Sequence, residues 1–337
     1  MARQEFVKDD YFKIDCECHL SGEKEYINYY PGVQKWWKGV DNVRGAFGAR
    51  ERRAVSNISA HREEQKVPEE DKLMEYMDRY GVDVACLLRE GMMDTTGYAT
   101  SWSTNGYIAA QCEKHPDRFV LQGNVCPIIQ RGLDNAIWEL EYLVKERNCK
   151  LIKYYPPEDT YINDERLWPF YKKVEELGVI LTIHTGYVWV PPGKAKYCLP
   201  IQVDEVASKF WDMKIIAFHA GWPYNHDLNL TAATHPNVYI SLSLIMAWWF
   251  NAPYRLAHII GEAIQFAGED HIIWGTDFFG AGGLIRNGIV AMRDFEMPEE
   301  LQKQYGYSPV TNEVKSMIFG ENLAKLLDID TSKRRVK

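Results

Sequence analysis

The 337-residue chain has no apolar run long enough to cross a membrane, its longest candidates being strand-sized. Its first residues, Met1-Ala2-Arg3-Gln4-Glu5, lack the apolar core of a secretory signal, so a cytoplasmic protein is expected. Clustered positive charge is missing too. Thirty-nine Lys and Arg stand against 47 Asp and Glu, a net charge of −8, and the basic residues are scattered, which offers nucleic acid no electrostatic surface. No CxxC pair occurs among the seven cysteines (16, 18, 86, 112, 126, 149 and 198). Most fall in apolar stretches where a thiol behaves as a small hydrophobe, so reduced core residues are expected and not a disulfide framework. There is no internal repeat or low-complexity tract. No Gly-rich phosphate turn follows the first strand-like segment, which argues against a doubly wound nucleotide fold.

What the chain does hold is a rhythm. Eight strand-like segments, 12–19, 83–88, 119–125, 150–154, 179–184, 214–219, 238–242 and 271–277, are short and nearly all apolar. Helical spacing fills 69–80, 102–115, 133–147, 165–177, 201–211, 224–234 and 253–266 between them. Asn163-Asp164 precedes the fourth of these helices and Gly178 follows its last turn, as start and stop signals require. Apolar strands alternating with helices predict a parallel sheet covered by helices, and eight units predict an α/β fold of the (β/α)8 TIM-barrel type in a single domain, 1–337. Two stretches break the rhythm: an aromatic and charged insertion over 21–67 after strand 1, and an extended loop over 278–309 after strand 8. Both leave the strand ends where barrels place their sites, so a lid or oligomer contacts are expected there. A C-terminal helix is expected over 311–328. Eleven Trp and 20 Tyr suit the barrel–helix interface or an aromatic pocket.

Chemistry gathers at the carboxyl ends of the strands. In Ile14-Asp15-Cys16-Glu17-Cys18-His19, strand alternation puts Glu17 and His19 on one face and both cysteines on the other, toward the helices. Strand 4 carries Lys153, strand 5 ends at His184, strand 6 at His219 and strand 8 at Asp277. In a closed barrel these ends form a ring. Glu17, His19, His184 and Asp277 then offer two nitrogens and two oxygens to one divalent ion, with His219 beside it as an acid–base group. Arg89, followed by Glu90, ends strand 2 on the mouth side, where it can grip a carboxylate bidentately or serve as a surface ion pair. Trp222, with Trp248, Trp249 and Phe250, can form an apolar wall for an aromatic ring or simply pack. His61, His115, His226, His235 and His258 lack partners at ligand spacing and read as structural.

Six motifs span nearly the whole chain: Glu17-Cys18-His19, Ile152-Lys153-Tyr154-Tyr155-Pro156-Pro157, Ile183-His184-Thr185-Gly186, Phe218-His219-Ala220-Gly221, Trp274-Gly275-Thr276-Asp277 and Phe319-Gly320-Glu321-Asn322-Leu323-Ala324. As a set they resemble the amidohydrolase superfamily, in the branch that contains aminocarboxymuconate-semialdehyde decarboxylase and resorcylate decarboxylases. The resemblance implies that Glu17, His19, His184 and Asp277 are metal ligands and that His219 is catalytic. It also implies that Glu-x-His on the first strand, where many members have His-x-His, leans toward decarboxylation. Other branches place a carbamylated lysine on strand 4 between two metals, an arrangement that Lys153, His184 and His219 also fit. With one metal, Lys153 is left to hold a substrate carboxylate or to pair with an acid of the ligand set.

The expected activity is therefore metal-dependent, non-oxidative decarboxylation of a small aromatic or unsaturated carboxylic acid. One Zn2+ is the default and Mn2+ the alternative, with Asp277 and His219 in proton transfer. A second expectation keeps the site and makes the enzyme a hydrolase or hydratase that uses a metal-activated water. A third is a non-catalytic barrel with a vestigial site. The partners expected are a small-molecule carboxylate and further copies of the chain, as a dimer or larger homo-oligomer, with neither nucleic acid nor membrane.

Overall fold

The computed structural model of the chain describes residues 6–20, 70–89, 103–188, 193–277 and 282–336. The insertion over 21–67, His61, Glu90 and the start of the loop after strand 8 (278–281) lie outside them. Eight strands run parallel in chain order, β1 (Ile14–His19), β2 (Val84–Leu88), β3 (Phe119–Asn124), β4 (Leu151–Tyr154), β5 (Ile180–Ile183), β6 (Ile215–Ala217), β7 (Val238–Ser241) and β8 (Ile272–Ile273). Each pairs with the next, as in Leu151 beside Ile180 and Ile215 beside Val238. Side-chain alternation splits the strands into two apolar layers. Ile14, Val84, Leu151, Ile180, Ile216 and Ile273 meet inside the ring, while Leu87, Ile152, Leu181, Ala217 and Ile240 pack outward against helices. A sheet covered on both faces explains why the strands read as continuous apolar runs.

The ring closes between β8 and β1 with little backbone help. Cys16 N donates to Trp274 O at 3.4 Å, and the Asp15 side chain does the rest, accepting from Thr276 N at 2.9 Å and from the Thr276 hydroxyl. Burial pushes the Asp15 carboxyl up to about 6, against the pull of those donors. Gly275 makes the seam feasible, since a Cβ there would lie 2.6 Å from Cys16 Sγ.

Register slips by one residue between Asp15 and Cys18 relative to β2. This bulge overturns the expectation that both cysteines face the helices: Cys16 joins the inner cluster, 3.1 Å from Ser241 Oγ, and only Cys18 lies in the outer one. All seven thiols are buried and unpaired with one another.

The helices that alternate with the strands are α1 (Glu70–Tyr80), α2 (Asn105–Lys114), the single turn α3 (Ile128–Arg131), α4 (Leu133–Arg147), α5 (Trp168–Leu177), α6 (Gln202–Lys209), α7 (Asn225–Thr234) and α8 (Pro253–Ala267). Local signals set their ends. Thr104 caps α2 by accepting from Tyr107 N, Asp164 accepts from Arg166 N ahead of α5, and Gly178 closes α5 at φ +65°. The stretch after β8, expected as an extended loop, carries two helices instead, α9 (Gly282–Arg293) and α10 (Glu299–Tyr305). Apolar Ile285, Ile289 and Met292 at helical spacing bury one side of α9. Helical residues then run from Asn312 to Leu327, the last of them α11 (Asn322–Leu327). Its Leu323 and Ala324 join the inner cluster with Phe12 and Ile14, plugging the barrel opposite the strand ends that carry Glu17 and His19. No helix among the described residues is long and apolar enough to cross a membrane.

Candidate metal centre

The bulge in β1 delivers Glu17 and His19 to the inside of the ring. Opposite, the chain leaves β6 through a tight turn, Phe218–Gly221, in which His219 (φ 62°) and Ala220 (φ 48°) are both left-handed. Asp277 after β8 is left-handed too, at φ 53°. Non-glycine residues held there carry strain of about 1–3 kcal/mol each and collect at functional sites. The turn bearing His219 is fastened to the end of β5, where the Thr185 hydroxyl donates to Phe218 O at 2.7 Å. Beside it Gly186 (φ +87°) lets two loops touch, since a Cβ would sit 2.1 Å from Trp222 O.

One ligand atom each from Glu17, His219 and Asp277 lies within 4.8 Å of the others, all three side chains being buried. His19 Nε2 is 3.2 Å from Asp277 Oδ1, and His184 Nδ1 is 3.0 Å from His219 Nε2. Lys153 points inward and donates to Glu17 Oε1 at 2.6 Å, its ammonium 3.7 Å from the centre of the Phe218 ring. Burial, with the neighbouring charge of Glu17 next in weight, pushes the Asp277 carboxyl up to about 6. Burial also holds both imidazoles well below the ordinary histidine range, reinforced at His184 by His219 and Lys153 and at His219 by Lys153.

The protons on those two rings are assigned by their outer partners. His184 Nε2 lies 2.7 Å from Tyr187 O and His219 Nδ1 lies 3.3 Å from Ser243 O. A carbonyl only accepts, so both outer nitrogens carry the hydrogen. His184 Nδ1 and His219 Nε2 therefore face each other as bare lone pairs at hydrogen-bond distance. Two buried lone pairs at that separation repel unless a cation lies against them, and a third proton is disfavoured because burial keeps both rings neutral. With two carboxylates beside them, the donor set fits a divalent metal ion.

The structure thus brings Glu17, His19, His184, His219 and Asp277 together with Lys153. It keeps Arg89 apart. The Arg89 guanidinium donates to Asn124 O at 2.9 Å and to Cys126 O at 3.1 Å, on the wall of a cavity of about 520 Å3 shared with Asn105, Arg131 and Glu139. Trp222 follows the His219 turn and meets Trp248 edge-on at 4.9 Å, while Phe250 is exposed. Among the other histidines, His235 bonds Ser208 Oγ at 2.8 Å and His258 faces Tyr307 OH at 3.1 Å, both away from the cluster. Sequence reasoning overlooked Tyr187, whose ring packs on both imidazoles, and Ser243 beyond β7. Ser241-Leu242-Ser243 signalled the latter, since alternation turns both serines inward at the end of the seventh strand, for which no polar residue had been considered.

A closed ring of parallel strands with buried nitrogen and oxygen donors at their carboxyl ends defines a metal-type α/β barrel. More closely, the chain belongs to the amidohydrolase family, whose model matches residues 14–329. No curated protein matches the sequence. Among solved structures it is similar to a dihydroxybenzoic acid decarboxylase from Polaromonas sp. JS666 with bound manganese and the inhibitor 2-nitroresorcinol, at a TM-score of 0.62 and 16% identity over 94% of this chain and 97% of that one. It is also similar to a 5-carboxyvanillate decarboxylase from Sphingomonas paucimobilis (TM-score 0.59, 16% identity, 95% and 100% covered). A third is 2,6-dihydroxybenzoate decarboxylase from Rhizobium (TM-score 0.60, 15% identity, 94% and 99% covered). At these identities the likeness is one of fold.

Proposed function

We propose that this chain is a metal-dependent, non-oxidative decarboxylase of a small aromatic or unsaturated carboxylic acid. The observation that carries the proposal is the buried cluster itself: two carboxylates and opposed imidazole lone pairs at the mouth of a barrel among whose solved neighbours are several named as decarboxylases of hydroxylated benzoates. Glu17, His19, His184 and Asp277 hold one divalent ion, manganese or zinc, which supplies Lewis acidity and a template for the substrate carboxylate. Lys153 is read beside a single ion as the partner of Glu17, to which its amine donates while lying over the Phe218 ring. Its charge is thereby engaged by Glu17, so Lys153 acts on the substrate through the ligand set.

Asp277, its carboxyl pushed up by burial, delivers a proton to the ring carbon that bears the carboxylate, and His219, bare at Nε2, takes the acceptor side of the proton transfer. The C–C bond then breaks, its electron pair returns to the ring, and CO2 leaves. Trp222 borders the approach as an apolar wall, and Arg89 stands on the mouth side, already held by carbonyls. Purified protein loaded with Mn2+ or Zn2+ should release CO2 from 2,6-dihydroxybenzoate or 5-carboxyvanillate and contain one metal equivalent per chain. Turnover of esters, amides or lactones alone would replace decarboxylation with hydrolysis, and two equivalents would refute the ion-paired Lys153.

A further inference from the structure

We infer that Ser243 is a positioning residue that couples Glu17 to His219, holding the carboxylate by its hydroxyl and fixing the proton of the imidazole on Nδ1. The inference rests on the metal-site reading above but not on decarboxylation.

Ser243 is fully buried. Its Oγ lies 2.7 Å from Glu17 Oε2 and 3.2 Å from His219 Nδ1. A serine hydroxyl has one proton and two lone pairs, and an ionised carboxylate can only accept. The shorter, charge-assisted bond therefore takes that proton, leaving Oγ as an acceptor toward the imidazole. Ser243 O lies 3.3 Å from the same nitrogen, so Nδ1 faces two acceptors from one residue. It must carry the hydrogen, and Nε2 is left bare toward His184. The polar chain runs from Lys153 through Glu17 and Ser243 to His219, every member buried.

The backbone supports this independently. Leu244, next in sequence, sits at φ 64° and ψ −44°, and Ile245 N donates to Ser243 O at 2.8 Å. That is a γ-turn of the rare positive-φ kind, costly for a branched side chain. It persists because the surroundings over-determine it: Ser243 N donates to Ser241 Oγ at 3.2 Å, and Leu244 and Ile245 are buried in the outer core. Its effect is to turn the Ser243 carbonyl from the direction of a continuing strand toward His219. Strain stored at this position is accounted for by a fixed imidazole.

The test is the tautomer of His219 in Zn2+-loaded protein carrying 15N-histidine, its resonances identified by their loss in His219→Asn. Long-range 1H–15N correlations distinguish protonated from bare ring nitrogens. Wild type is expected to show hydrogen on Nδ1 alone; hydrogen on Nε2 overturns the inference with no further variant needed. Ser243→Ala keeps the backbone carbonyl and so should retain the Nδ1 tautomer, but it should bind Zn2+ about 10–100-fold more weakly in chelator competition, the usual loss when a partner of a ligating group is removed. Ser243→Thr, which restores the hydroxyl, should recover the affinity. A folded Ser243→Ala with wild-type affinity, or a Ser243→Thr no better than Ser243→Ala, refutes the coupling. Neither readout requires turnover, so absence of CO2 release would count against the proposed reaction and leave this inference standing.

Discussion

Replacing Lys153 by Met removes a buried cation while keeping its volume nearly constant, so the cavity contribution is small. Lys153 and Glu17 are 3% and 1% exposed, with 2.6 Å between Nζ and Oε1. At an effective dielectric of about 20, unit charges at that separation attract by about 6 kcal/mol. Part of that offsets the cost of desolvating the ammonium, and truncating one member of such a pair typically costs about 3–5 kcal/mol. Unfolding entropy of about 2.1 cal/mol/K per residue gives about 0.7 kcal/mol/K for 337 residues, so Tm should fall by roughly 4–7 °C. That loss belongs to chelator-treated protein. With the ion in place Glu17 regains a countercharge, and the deficit should shrink by more than half. Glu17→Gln added to Lys153→Met removes the stranded charge and should recover most of the metal-free loss. Calorimetry of wild type, Lys153→Met, Glu17→Gln and the double variant, with and without EDTA, completes the cycle. Equal metal-free stability of Lys153→Met and wild type, or a double variant no better than the single, would refute the buried ion pair. A deficit unchanged by metal would refute Glu17 as a ligand.

Other consequences are as direct. Gly186→Ala adds a Cβ 2.1 Å from Trp222 O at φ +87°, displacing the loop whose Tyr187 carbonyl holds His184; metal affinity should fall at least tenfold and Tm with it, and wild-type affinity would disprove the link. Gly261→Ala puts a Cβ 2.4 Å from the Tyr307 ring, in the helix layer; a loss of about 1–3 kcal/mol in urea titrations with unchanged metal affinity is expected, and a neutral result would mean the ring has room to move. The seven buried thiols, with Cys149 and Cys198 pushed up to about 12 by burial, should resist Ellman's reagent at pH 8 and all react after denaturation; rapid titration of the native protein would contradict the packing. Arg334 donates to Asp83 Oδ2 at 2.8 Å and to Gly81 O at 2.8 Å, so Arg334→Ala should cost about 1–3 kcal/mol by leaving the fully buried Asp83 short of donors, measurable as an earlier urea midpoint with no change in metal content.

The sequence was most legible where one physical rule acts alone. Apolar runs between helical spacings located all eight strands to within a few residues, because burial on both faces leaves no competing pattern. It was least legible where the backbone departs from regularity. Strict alternation sent Cys16 outward, since a bulge has no composition of its own, and His219 read as the last strand residue when it sits on a left-handed turn. Phe278 to Pro309 read as loop because of its glycines, yet Ile285, Ile289 and Met292 had the spacing of a helix. The site was partly readable. Glu17, His19, His184, His219 and Asp277 stand out as polar ends of apolar strands, and the ring gathers them. Ser243 and Tyr187 act through a carbonyl or a hydroxyl that many residues could supply, so residue type alone gave little hint of either.

The Asp15–Thr276 seam has a consequence for biosynthesis. Thr276 and Asp277 are synthesised roughly 260 residues after Glu17 and His19. Until then β1 lacks the neighbour that completes the ring, and Asp277 does not exist to join the cluster. A nascent chain that has reached His219 holds three of the four proposed ligands without Asp277, so the full proposed set exists only once the eighth strand has been made. The seam that closes the barrel therefore brings in the last proposed ligand with it, and a chain ending before Thr276 lacks both.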